Sequence, residues 1–133
     1  MRHPLPALLP LLLLGAGTAS AAEPPARAAV HTVHILEGAR LNATVTLLPF
    51  DGKLGRTHEF YNGYRPQLRF ATDPPHDVTC VLQLPKPLEK VAPGQTADVE
   101  ALCIEPLTLP ENQFAFGMYE GGRQVGHGVL NRR

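Results

Sequence analysis

Between Leu41 and Val129 the apolar residues recur at every second position in short runs, and a turn signal closes each run. A period of two sorts side chains onto the two faces of a strand, whereas an amphipathic helix needs a period of 3.6. Leu41, Ala43, Val45 and Leu47 alternate with Asn42, Thr44 and Thr46. Val78, Cys80, Leu82 and Leu84 share one strand face, as do Ala97, Val99, Ala101 and Cys103, and as do Phe114, Phe116 and Met118. The breaks between runs are Asp51-Gly52, Asn62-Gly63, Asp73-Pro74-Pro75, Pro85-Lys86-Pro87, Pro93-Gly94, a loop from Pro106 to Asn112, and Gly121-Gly122. Proline cannot donate to a ladder, and glycine supplies the positive φ of a tight hairpin. No window in this region sustains a helical period. The pattern therefore predicts an all-β domain, a barrel or a sandwich; a barrel would also remove aggregation-prone edges.

The front of the chain reads differently. Residues 1–22 have the layout of a signal peptide: Arg2 and His3, an apolar stretch from Leu8 to Leu14, then Ala19-Ser20-Ala21 as a small-residue cleavage site. Cleavage is expected near Ala21/Ala22. The apolar stretch is shorter than the roughly 20 residues of a membrane-spanning helix, so no stable membrane anchor is expected after cleavage; an uncleaved anchor is the alternative. Residues 23–38 are expected to form a linker and extended lead-in, and residues 39–133 the folded domain. The expected location is periplasmic or extracellular.

Export bears on the two cysteines, Cys80 and Cys103. Both fall on apolar strand faces, so both thiols point into one core. Two buried thiols that merely pack would satisfy the pattern, but an oxidising compartment favours a disulfide. The bridge would close a loop of about 24 residues, worth about 3 kcal/mol in the chain-entropy treatment.

Residues with catalytic or ligand chemistry do not assemble into a known constellation. The chain has no phosphate-binding glycine loop of either common type. Beyond Ser20 it has no serine, which excludes a serine triad. His31 and His34 are three apart in an extended segment, which puts them on opposite faces, and His58, His76 and His127 are scattered. A metal site needs at least three converging ligands. No enzymatic activity, cofactor or metal is expected. Lys plus Arg number 12 and Asp plus Glu number 12, so the chain lacks the positive excess that draws proteins to nucleic acid.

The segment Gly55-Arg56-Thr57-His58-Glu59-Phe60-Tyr61-Asn62-Gly63-Tyr64-Arg65-Pro66-Gln67-Leu68-Arg69-Phe70 resembles the GRHTPFFxGYRPQFYF signature of the third domain of elongation factor Tu. Asp77-Val78-Thr79, Val91-Ala92-Pro93-Gly94-Gln95, Ile104-Glu105-Pro106-Leu107 and the stretch from Phe116 to Val129, with Glu120-Gly121-Gly122-Arg123 inside it, resemble later blocks of that domain in the same order. The resemblance implies a six-stranded antiparallel β-barrel. It carries no GTP hydrolysis, which belongs to the first domain of that family. It implies tRNA-facing positions at Arg56, Gln67, Thr79, Glu120 and Gly121. Two departures weaken that implication: Thr57 stands where the family has histidine, and Tyr119 where it has an arginine that would meet phosphate. The alternative is a structural role for this stretch, with Tyr64, Arg65 and Gln67 expected to hold the barrel together and Gly121 and Gly122 to make a hairpin.

Together these readings predict a non-enzymatic binding module, exported and standing alone. Its partner is expected to be a protein, or a second copy, on the face that docks a GTPase domain in the family; nucleic acid is not expected. The alternative is a translation-related protein that binds RNA or tRNA and stays in the cytoplasm.

Overall fold

The computed structural model describes residues 31–131. The expected signal peptide, residues 1–22, and the first part of the expected linker lie outside the described residues.

Alternation becomes strand wherever the sequence carries it. Among the described residues the ten strands are β1 (Thr32–Ile35), β2 (Arg40–Leu47), β3 (Phe60–Tyr61), β4 (Gln67–Phe70), β5 (His76–Gln83), β6 (Lys90–Val91), β7 (Thr96–Cys103), β8 (Leu107–Pro110), β9 (Ala115–Glu120) and β10 (Arg123–Leu130). Six of them close into an antiparallel barrel in the order β10-β2-β7-β5-β4-β9, back to β10. Closure leaves the barrel wall without a free edge.

The inward set is the apolar set. Ala43, Val45, Leu47, Leu68, Phe70, Cys80, Leu82, Ala101, Met118 and Val125 are fully buried, and Phe70 and Phe116 meet with ring centroids 5.5 Å apart. Two antiparallel ribbons complete this core. β3 and β6 bring Phe60 against Val91, and β1 and β8 bring Ile35 against Leu107, with Leu109 also buried.

β8 occupies part of the stretch that Pro106 and Pro110 mark as a loop. Leu107 and Leu109 point inward, Thr108 outward, and Pro110 sits at the strand's end, opposite Thr32. A proline there forfeits no interior ladder bond. β1 lies within the segment read as a lead-in, and its pairing with β8 ties that lead-in to the core.

Cys80 and Cys103 are bonded to each other. They face each other across β5 and β7 with Cα atoms 3.9 Å apart. Ile104 N–H donates to Thr79 C=O beside them. The cysteines therefore form a non-hydrogen-bonded pair, the kind of cross-strand position that brings side chains closest.

A bulge between Gln124 and Gly126 shifts the register of β10 against β9. Val125 and Gly126 are consecutively buried as a result, and Val129, four residues on, is turned outward.

Candidate functional site: the rim around Arg56 and the wall around Gln67

Arg56 lies in the connection between β2 and β3, and glycine chemistry sets its position. Gly55 has φ +88°, and a Cβ on it would fall 2.1 Å from Pro49 O. Only glycine lets the backbone pass there. Gly55 N–H donates to Gln124 C=O at 2.8 Å and Arg56 N–H to Leu48 C=O at 2.9 Å, fixing the loop against β10 and the end of β2.

From that anchor the Arg56 guanidinium reaches Glu120, the last residue of β9, in an ion pair. It also donates to His58 C=O at 3.1 Å. Its Cζ stands 5.0 Å from the Tyr64 ring centroid, and that ring stacks on Phe60 at 4.7 Å. Tyr64 O–H donates to the same Glu120 oxygen that Arg56 uses. Gly121 and Gly122, with φ +58° and +83°, form the two-residue turn between Glu120 and Arg123, the geometry favoured between twisted strands.

This cluster is charge-compensated. Burial acts to raise the Glu120 pKa, but hydrogen bonds from Tyr64 and Arg56 outweigh it and hold the carboxyl below its ordinary value. Burial, then the bond to Glu120, pushes the Tyr64 phenol well above its ordinary value, so Tyr64 stays a donor. Arg56 therefore spends its charge within the protein.

Gln67 and Thr79 occupy a different surface. They are register partners on β4 and β5, and Gln67 also faces Tyr119 on β9. Alternation puts Glu120 on the same side of β9 as buried Met118, while Gln67 and Tyr119 lie on the outer side. The five positions implied by the resemblance thus divide into Arg56, Glu120 and Gly121 at the rim, and Gln67 and Thr79 on the wall.

A second polar assembly flanks Gln67, and the sequence reading did not single it out. Arg69 forks onto Asp77 with Nε–Oδ1 2.7 Å and Nη2–Oδ2 3.0 Å. Its guanidinium lies 3.9 Å above the Tyr119 ring. That ring folds back over Gly117, where a Cβ would come within 2.8 Å of it. Tyr119 stands where the family has a phosphate-facing arginine, and here it serves as the platform for an arginine that already has its own carboxylate. The signal for this group was the register of the β4–β5 pair, which puts Arg69 opposite Asp77.

Among the described residues, no three His, Cys, Asp or Glu side chains converge closely enough to hold a metal ion. No helix there is long and apolar enough to cross a membrane.

A closed six-stranded antiparallel barrel carrying short flanking ribbons places the chain among small all-β barrel domains. The family described as the elongation factor Tu C-terminal domain matches residues 34–132, and the chain belongs to that family. It is a translation-factor-like domain.

Proposed function

We propose that the chain acts as an exported, non-enzymatic binding module built on a barrel of the elongation factor Tu C-terminal type. The observation that carries this reading is the Cys80–Cys103 bond within the barrel wall, with the two cysteines 0% and 3% exposed. Such bonds persist where the surroundings oxidise, which agrees with the leader read in residues 1–22. On this reading the partner is another protein or a second copy, bound on the face that meets a GTPase domain elsewhere in the family. Fold kinship alone does not fix that partner.

The competing reading, a cytoplasmic RNA- or tRNA-binding role, draws on Arg56, Gln67, Thr79, Glu120 and Gly121. Its difficulty is local: a phosphate reaching Arg56 must displace Glu120, and Tyr119 supplies no charge. Filter binding of tRNA across a salt series separates the two readings. The binding-module reading expects no salt-dependent retention; retention that weakens steeply with salt overturns it. N-terminal sequencing of the native protein checks export. An intact Met1 in a cytoplasmic fraction would end that part of the proposal.

A further inference from the structure

We propose that a groove on the outer face of β2, β7 and the end of β5 binds a basic peptide segment of a partner protein, holding its arginine or lysine side chains. This rests on the reading of the chain as a protein-binding module, and it adds a place and a chemistry. The groove measures about 460 Å³ and is lined by Gln83, Leu84, Pro85, Asp98, Glu100 and Asn131, among others. Its size falls within the roughly 300–1,000 Å³ of typical ligand sites.

The lining selects a cation on an aliphatic stem. Asp98 and Glu100 are next but one on β7, so both stand on its outer side. Asp98 uses one carboxylate oxygen, Oδ1, to accept from Thr44 O–H at 2.8 Å. Asn131 Nδ2 in turn donates to Thr44 Oγ1 at 3.0 Å, which holds that wall in place. Glu100 pairs with Arg40 at 3.4 Å, and the Arg40 side chain is 72% exposed. Such an open pair contributes little and gives way readily to a better-placed cation. Leu84 and Pro85 supply apolar surface for the methylenes of a long basic side chain. The amides of Gln83 and Asn131 offer donors and acceptors to a peptide backbone. Two carboxylates without a third ligand do not make a metal cage, and they repel a polyanion.

Fluorescence anisotropy of the full chain with a labelled peptide of alternating arginine and glycine tests this. Saturable binding that weakens with added salt is expected. The Asp98→Asn, Glu100→Gln double variant should lose about tenfold or more in affinity, with an unchanged far-UV spectrum. Arg40→Ala should tighten binding, because it removes the competing cation and touches no core residue. Equal binding by the double variant, equal binding of a glutamate-glycine peptide, or no saturable binding overturns the proposal. Affinity capture from the cell envelope keeps the two readings apart. A partner retained by the double variant rejects the groove and leaves the binding module standing. Capture of no partner, beside a successful peptide titration, counts against the module while the groove survives.

Discussion

At the scale of single residues, the Arg56–Tyr64–Glu120 cluster and the Arg69–Asp77 fork make stability depend on pH in a defined direction. Hydrogen bonding from Arg69 holds Asp77 below its ordinary 3.8, and Glu120 lies below its ordinary 4.5. A carboxyl depressed by folding adds stability that is complete above its unfolded pKa and is lost as pH falls through its folded one. The melting temperature should therefore hold near neutrality and decline below the ordinary carboxylate values. Glu120→Gln combined with Asp77→Asn should flatten that decline in a thermal-melt series; an unchanged slope would show that neither group contributes. Tyr64→Phe removes the phenol's bond to Glu120 and should cost about 1 kcal/mol in denaturant titration. The rim was partly legible in the sequence, because Arg56 and Glu120 sit in recognisable blocks. That Tyr64 joins them, and that Tyr119 lies flat under Arg69, was not, since both depend on how distant strands are registered.

At the scale of elements, the bulge in β10 can be tested because it departs from the facing that a regular strand would give. Val125 and Val129 are four apart and would share a face of a regular strand. The extra residue buries Val125 completely and leaves Val129 41% exposed. Val129→Lys should change stability by no more than about 0.5 kcal/mol, whereas Val125→Lys places a charge in the core and should cost about 3 kcal/mol or more. Equal effects would contradict the bulge. Gly128 lies within the same strand, and a Cβ there would meet Thr44 O and the Phe116 ring at 2.6 Å; Gly128→Ala should cost about 2 kcal/mol through overpacking. Alternation revealed β2, β5, β7 and β9 because each buries one face against the barrel centre. It concealed β8, where Pro106, Pro110 and Asn112 outweighed Leu107 and Leu109, and it concealed β6, whose two residues carry no period at all.

At the scale of the molecule, the barrel's order β10-β2-β7-β5-β4-β9 joins strands far apart in sequence, and no local pattern specifies that order. It became legible only through family-like blocks such as Gly63-Tyr64-Arg65-Pro66-Gln67, whereas the groove beside Asn131 has no sequence signature. The Cys80–Cys103 tie acts on this whole architecture. Replacing both cysteines with alanine should lower stability by about 3 kcal/mol in the chain-entropy treatment, read as a lower urea midpoint with a far-UV spectrum that remains that of a β protein; an unchanged midpoint would mean that the bond adds nothing to the folded state. The bond also encloses the 85–95 connection with its exposed Pro87 and Glu89. A protease that nicks the backbone there would leave both fragments covalently joined, migrating as one band until a thiol is added.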